Sequence, residues 1–220
     1  MRARSVQMMS VLSILAVVLI SSMLCSGCAF GSRAVALNYT PTIKGPDLGG
    51  GRPIQISAIR DTCVTNEKSI FAKNGAGQLT TTNGKEIGDI RNGYYIKTAS
   101  VVSKSMDLGP WVTDALTKEL KQRGFSAAQV TALPPACPLG VSGSLTECYS
   151  RAKFFSGQEC TIRATISILQ NGAAISSKEY VGTSKGGVAF LTPAEYEKVF
   201  QLAMADFVGK VVKDIAIAGK

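Results

Sequence analysis

The sequence predicts an α+β fold: a single domain in which a mostly antiparallel sheet of about six strands carries two amphipathic helices on one face, after a cleaved N-terminal signal. Three observations predict it. The chain begins with a basic start followed by an apolar run. Two later segments, at residues 110–124 and 192–215, carry apolar side chains at helical spacing. Short alternating segments separated by glycine-containing turns favour strands joined in hairpins.

The leader has the parts of an export signal. Arg2 and Arg4 precede an uncharged apolar run at residues 11–20, and Leu24-Cys25-Ser26-Gly27-Cys28 follows. Small residues before a cysteine, after a run of this length, are typical of a lipoprotein signal. The motif resembles a bacterial lipobox, except that Cys25 stands where Leu is usual. We therefore expect a signal peptide over residues 1–27, cleavage before Cys28, and lipidation of Cys28.

An uncleaved membrane helix is the alternative. Residues 6–24 carry no charge, and nineteen residues are just enough to cross a bilayer. Four serines interrupt the run, so its apolar centre has the length of a signal peptide and not of an anchor. In bacterial lipoproteins a residue other than Asp after the acceptor implies the outer membrane, and here it is Ala29. We expect acyl chains such as palmitate to hold the protein on the periplasmic face of that membrane.

Composition narrows the classes of partner. The chain has 24 basic and 15 acidic residues, a formal charge of +9. The lysines are scattered singly, as on an ordinary solvated surface, although anionic lipid headgroups or glycans would be attracted to such a protein. The export signal argues against nucleic acid as a partner. The predicted partners are therefore the membrane, through the attached lipid, and an envelope protein or glycan.

Four cysteines remain beyond the leader, and they are disulfide candidates: Cys63, Cys137, Cys148 and Cys160. An even number in an oxidising compartment favours two disulfides, and three connectivities are open. The chain has no histidine and no CxxC spacing, which argues against zinc. Cys148 to Cys160 is the local pairing, but strict strand alternation puts the two on opposite faces unless a bulge intervenes.

The mature chain divides into two predicted parts. Residues 28–52 contain prolines and a glycine run without periodicity, and they predict a lipidated tether that lifts the domain off the membrane. Residues 53–220 form the predicted periplasmic domain. Its first strand covers residues 53–59, and a polar, glycine-rich stretch at 66–84 is an exposed loop or a short ribbon.

The middle of the chain gives the clearest local signals. Residues 85–90 and 94–102 flank Asn92-Gly93, a dipeptide that favours a two-residue type I′ hairpin turn. A helix follows from Pro110, with Gly124 as its stop. A short strand is predicted at 128–132.

Three strands are then predicted at 140–151, 159–169 and 174–183, with turns at Phe155-Ser156-Gly157 and Asn171-Gly172. The last helix begins at Thr192-Pro193-Ala194-Glu195, which is a capping box. The apolar stripe of this helix is predicted to pack in the core.

The order of these elements resembles the YajG-type family of bacterial lipoproteins, small envelope proteins without an assigned activity. The residues that carry the resemblance are Ile90-Arg91-Asn92-Gly93-Tyr94, Trp111-Val112-Thr113-Asp114-Ala115-Leu116, Arg123-Gly124-Phe125 and the strand at 166–172. The resemblance implies no catalytic residue.

One catalytic motif occurs by letter. Gly182-Thr183-Ser184-Lys185-Gly186 matches G-x-S-x-G after a strand. Its serine needs a histidine, which the chain lacks, and the adjacent Lys185 would point to the opposite face of the strand. We predict no catalytic residues, no cofactor, no metal site and no enzymatic activity.

The leading hypothesis is an outer-membrane lipoprotein that binds another envelope component as a non-enzymatic accessory. The alternative is a ligand- or lipid-binding module that assists transport between membranes. An open apolar pocket between helix and sheet would favour the alternative.

Overall fold

The fold was analysed in a computed structural model, which describes residues 32–42, 45–64, 67–73, 79–91, 94–153, 157–187 and 192–218. The predicted signal peptide and Cys28 lie outside the described residues. So do Asn92-Gly93 and Phe155-Ser156 of the predicted turns. In the described part of the chain, neither helix combines the length and the apolar character needed to cross a membrane.

Ten strands and two helices make up the described α+β domain. The strands are β1 Arg33–Val35, β2 Pro53–Ser57, β3 Arg60–Asp61, β4 Glu67–Lys73, β5 Leu79–Arg91, β6 Lys97–Ser103, β7 Ser126–Val130, β8 Leu139–Lys153, β9 Gly157–Gln170 and β10 Ala173–Gly186; the helices are α1 Gly109–Gln122 and α2 Pro193–Ala218. The α+β class and the two helices are confirmed, but the predicted strand number was too low. The stretch at 66–84 contains β4 and the first part of β5, which pair as an antiparallel ribbon.

A single open sheet contains all ten strands, and β8 is its centre. One edge of β8 pairs antiparallel with β9, which pairs antiparallel with β10. The other edge is shared by three parallel neighbours in succession: β2, then β3, then the end of β5. β7 extends the sheet beyond β2, and β6 and β1 extend it beyond β5. Most of the pairing is antiparallel, as predicted, while the strands that are far apart in sequence meet in parallel.

A bulge in β8 explains how the core face continues along its whole length. The register with β9 shifts between Leu145 and Glu147, so Thr146 is an extra residue. Leu145 before the shift and Cys148 after it are both buried, although strict alternation would separate them. The alternative in which a bulge places Cys148 and Cys160 on the same face is therefore confirmed, and both thiols lie in the core.

The two helices contact each other, and both pack on the sheet. β9 buries alternate residues, including Ile162 and Ile166, while the intervening ones such as Arg163 are more exposed. α2 lies very close to β10, since a Cβ at Gly182 would stand 2.3 Å from the Ala203 carbonyl oxygen. The sheet therefore has a helix-covered apolar face and a polar face, and the contact is closest where glycine removes the side chain.

The described residues 32–42 and 45–52 are hydrogen-bonded to the rest of the folded domain. Ala36 N donates to Glu197 of α2, and the Tyr39 hydroxyl donates to Glu119 of α1 at 2.8 Å. Leu48 N then reaches the Arg123 carbonyl at the end of α1. We call residues 36–42 and 45–52 the strap, because they contact both helices between β1 and β2. The described residues from Ser32 onward belong to one compact unit.

The β5–β6 hairpin has a different register from the one predicted. Arg91 pairs with Lys97, so five residues connect the strands in place of two. The register is irregular between Glu86 and Gly88 and between Ile90 and Arg91. Gly88 is closely packed, since a Cβ there would lie 2.4 Å from the Ser150 carbonyl oxygen and 3.3 Å from the Val101 side chain. Tyr94, predicted as the first residue of β6, therefore lies in the connection.

Three other local signals are confirmed. Gly124 ends α1 with φ +83°, and Asn171 and Gly172 have φ 51° and 79°, as a type I′ turn requires. Thr192 and Glu195 exchange the two hydrogen bonds of a capping box. These signals involve neighbours in sequence, which is why they could be interpreted before the fold was known.

Candidate functional site

The largest cluster of exposed apolar side chains in the described chain is at the β5–β6 connection. Tyr94, Tyr95 and Ile96 are 86 %, 61 % and 62 % exposed. Tyr95 has φ +63°, a left-handed conformation that is unfavourable for a large side chain and is uncommon outside turns. Arg91 supports this conformation by donating to the Tyr95 carbonyl at 3.2 Å. The turn is therefore held in a shape that keeps three large apolar side chains in solvent.

Four cations surround this connection. The Lys153 ammonium lies 5.2 Å from the centre of the Tyr95 ring. Arg91 and Arg151 approach the same buried carboxylate, Asp89, at 2.7 and 3.5 Å. Lys97 pairs with a second buried carboxylate. Since two carboxylates face four cations, positive charge is in excess. We call the group formed by Arg91, Tyr94, Tyr95, Ile96, Lys97, Arg151 and Lys153 the basic tip.

The first described residues of the chain lie beside β6, the strand that follows the basic tip. β1 runs parallel to β6, with Arg33 opposite Val101. Just before it, the Ser32 hydroxyl accepts a hydrogen bond from Ser100 N. Ser100 is three residues along β6 from Lys97, so Ser32 lies within about 10 Å of the basic tip along the strand.

A buried ion pair holds α1 against the sheet, and no local sequence pattern indicated it. Asp61 Oδ1 accepts from Lys85 at 2.7 Å, and Asp61 Oδ2 accepts from Leu108 N at 2.8 Å. Both side chains are largely buried, at 5 % and 11 % exposed. Burial acts to raise the pKa of Asp61, but the hydrogen bonds from Lys85, Leu108 N and Cys63 N outweigh it and lower the pKa. Asp61 is therefore ionised and fixes the residue that precedes α1.

The strap carries a second buried polar contact. Glu119 is 1 % exposed, and burial raises its pKa, although the Tyr39 hydroxyl and Arg123 act in the opposite direction. Burial also raises the pKa of Tyr39. The hydrogen bond between Tyr39 and Glu119 therefore joins the strap to α1, and we assign it a structural role.

The four disulfide candidates are free thiols in the described structure. Cys148 and Cys160 are buried in the core, where burial raises the pKa of each. Burial likewise raises the pKa of half-buried Cys63 to about 12. Cys137 is apart from them, with its Sγ 3.2 Å from the Leu139 carbonyl oxygen. The predicted disulfides have no support in this structure.

Ser184 occupies a structural position. Its hydroxyl donates to the Val199 carbonyl of α2 at 2.7 Å, and β10 continues through Gly186. Lys185 is exposed and pairs with Glu159. The geometry required of a nucleophile elbow, with a helix directly after the serine, does not occur here. Among the described residues, no group of three metal-ligating side chains comes together.

Two surface cavities bear on the ligand-binding alternative. One, of about 400 Å³, lies between the strap and the start of α2 and is lined by residues such as Ala36, Lys198 and Leu202. The other, of about 450 Å³, lies along β10 and α2 beside Lys178 and Lys213. Neither is an apolar pocket between helix and sheet of the kind that the alternative calls for.

Comparison with known proteins supports the fold. No protein-family model and no curated protein matches the sequence. The crystal structure of a Xanthomonas campestris protein of family DUF330 matches with a TM-score of 0.51 at 12 % identity, covering 86 % of this chain and 96 % of that one. An uncharacterised protein matches with a TM-score of 0.50 at 10 % identity, covering 84 % and 99 %. The chain is thus similar in fold to these proteins over most of its length.

A further structure gives a weaker match. It is of a Caulobacter crescentus protein described as a candidate lipoprotein, with a TM-score of 0.37 at 17 % identity, covering 51 % of this chain and 84 % of that one. That score is too low to show a shared fold. The resemblance to the YajG-type family stays a prediction.

Proposed function

We propose that this chain is a lipoprotein of the outer membrane, anchored through Cys28, whose periplasmic domain binds another envelope component as a non-enzymatic accessory. The observation that carries the proposal is the leader: a basic start, a short apolar run and Ser26-Gly27-Cys28. The folded unit begins at Ser32, only four residues after the acceptor, so removing the leader would leave the domain intact.

The accessory role is supported by the structural contacts that the potentially reactive side chains make. Ser184 is bonded to a helix carbonyl, Asp61 is bonded to Lys85 and the start of α1, and the buried thiols have raised pKa values. Each of these groups serves the fold. The polar face of β8, β9 and β10 offers a broad, charged surface suited to a protein or glycan partner, with Arg163 between Glu147 and Glu179.

Mass spectrometry of the membrane fraction tests the anchor. We expect an N-terminal peptide that begins at Cys28 and carries acyl chains. Cys28→Ala should retain the leader, whereas Cys25→Ala, a matched change three residues away, should be processed normally. An intact Met1 terminus on the wild-type protein would contradict the proposal.

Crosslinking in cells tests the accessory role. A photoreactive amino acid at Arg163 samples the polar face, and one at Leu202 on α2, which is 43 % exposed, is the control. We expect one partner trapped from position 163 and not from 202. A co-purifying lipid without a trapped partner would favour the transport alternative.

A further inference from the structure

We propose that the basic tip lies against the bilayer, with Tyr94, Tyr95 and Ile96 in its interface and the surrounding cations on anionic lipid phosphates. The inference rests on lipid attachment at Cys28, and it adds an orientation: the domain stands with this end of its sheet on the membrane. It replaces the expected tether, which would have held the domain away from the surface.

The first argument is the distance that the chain can cover. Ser32 is hydrogen-bonded to Ser100 in the strand that leaves the basic tip. Residues 29–32 can span only ~14 Å when fully extended. A lipid-modified Cys28 therefore holds Ser32 within that distance of the membrane surface. Since Ser100 is only three residues along β6 from Lys97, the basic tip lies close enough to Ser32 to reach the same surface.

The second argument is the chemistry of the exposed side chains. Tyrosine is enriched where membranes meet water, because its ring is apolar and its hydroxyl is polar. Two tyrosines and an isoleucine in sequence cannot all lie on one buried face of a strand, and here the turn exposes all three. Exposed apolar side chains concentrated in one place indicate an interaction site. The left-handed Tyr95 shows that the fold maintains this exposure at a cost.

The third argument is charge. Lys153 pairs with no carboxylate among the described residues, and it lies over the Tyr95 ring. Arg91 and Arg151 share one carboxylate, which leaves positive charge uncompensated. Basic residues beside a membrane are attracted to anionic headgroups, and their long stems can lie along the apolar surface while the charge stays in the headgroup layer. Aromatic rings with adjacent cations thus match an anionic lipid surface better than a neutral one.

Fluorescence quenching tests the position of the tip. The wild-type chain has one tryptophan, Trp111, which is 8 % exposed and serves as an internal background. The acylated full-length protein is reconstituted into vesicles of phosphatidylcholine and phosphatidylglycerol that contain brominated acyl chains. Tyr95→Trp adds a reporter at the tip. Ile217→Trp is the matched control, since Ile217 is 70 % exposed near the end of α2, the helix that begins beside the end of β10 and runs back along it.

We expect a blue shift and strong quenching for Tyr95→Trp, and neither for Ile217→Trp. Equal quenching of the two would overturn the proposal, as would an unquenched tip. A protein partner at the tip would appear as this unquenched result in vesicles. If the protein is not acylated at Cys28, mass spectrometry shows it before reconstitution, so failure of the anchor is distinguished from failure of the tip.

Charge removal tests the lipid preference. The double substitution Arg151→Gln and Lys153→Gln is introduced into the Tyr95→Trp protein. In anionic vesicles it should lower the ratio of membrane-inserted to non-inserted tips by roughly fivefold for each cation removed. Phosphatidylcholine vesicles should show little change. Lys121→Gln with Lys213→Gln removes the same charge from exposed helix positions and should leave the quenching as it was. If both pairs reduce the quenching equally, net charge and not the basic tip determines the association.

Discussion

Replacing Asp61 by Asn tests the ion pair that joins α1 to the sheet. The change keeps the size of the side chain and removes its charge. Lys85, whose side chain is 11 % exposed, then keeps its ammonium without a carboxylate 2.7 Å away. One oxygen of the new amide can still accept from Leu108 N, but it cannot serve Leu108 and Lys85 together.

The expected cost follows from the burial of both partners. Removing one member of a buried ion pair leaves an uncompensated charge and costs about 3–5 kcal/mol, whereas replacing both members with apolar side chains is often nearly neutral. We place Asp61→Asn at about 3 kcal/mol, since part of the hydrogen bonding to Leu108 N survives. That is a large part of the ~5–15 kcal/mol that holds a domain folded. Adding Lys85→Met should restore much of the loss.

Urea unfolding of the purified protein measures this cost. Asp114→Asn is the matched control, because Asp114 makes a pair with Lys118 of the same 2.7 Å length but both side chains are nearly half exposed. Its removal should cost less than about 0.5 kcal/mol. The reasoning fails if Asp61→Asn and Asp114→Asn unfold at the same urea concentration, or if Lys85→Met does not rescue the first.

Acid should remove the same contribution. Because the pKa of Asp61 is lower in the folded protein than in the unfolded chain, its stabilisation is fully present above the ordinary aspartate pKa. It is lost as the pH falls through the lowered value. The difference in unfolding free energy between wild type and Asp61→Asn should therefore be constant near neutral pH and should shrink below about pH 4. A difference that persists unchanged in acid would show that the charge is not responsible.

Three further outcomes follow from the core and the strap. Gly182→Ala should lower the melting temperature by an amount equivalent to about 1–3 kcal/mol, since the new Cβ meets a carbonyl oxygen of α2 at 2.3 Å; an unchanged melting curve would show that α2 can move away. Glu119→Gln should preserve or raise the free energy of unfolding above neutral pH. The raised pKa of Glu119 means that its stabilising contribution is lost as pH rises, while the Gln oxygen still accepts from Tyr39. A lower free energy of unfolding there would contradict the direction of this pKa shift. Cys148 and Cys160 should resist iodoacetamide in the folded protein and react after unfolding without reductant, and failure to react then would restore the disulfide.

How much of this fold the sequence reveals depends on the distance between the interacting residues. The capping box at Thr192 and Glu195 and the stop at Gly124 use neighbouring residues, and both were predicted correctly. β1 was missed because its partner, Val101 opposite Arg33, is distant in sequence and β1 is only three residues long. Parallel pairing of distant strands leaves no local pattern, and so the number of strands was underestimated.

The basic tip was missed for a related reason. Asn92-Gly93 is a strong signal for a two-residue turn, but the strands pair with Arg91 opposite Lys97, which leaves five residues in the connection. The sequence did contain a usable sign: Tyr94, Tyr95 and Ile96 are consecutive, so a half-buried strand could not hide all three. The bulge at Thr146 was likewise visible only as a conflict between two alternations, which the structure resolves.

The central position of β8 also determines when the domain can be completed during synthesis. β2 lies between β7 and β8, which leave the ribosome much later than β2 does. Until β7 has emerged, the nascent chain carries β2 with open hydrogen-bonding groups along both edges, and the edge that pairs with β8 stays open until residue 141 has emerged. Another polypeptide could pair with these open edges. Closing such long loops is slow, so we expect the domain to collapse late and all at once, after release. A chaperone that binds extended segments would then protect this polypeptide through most of its translation.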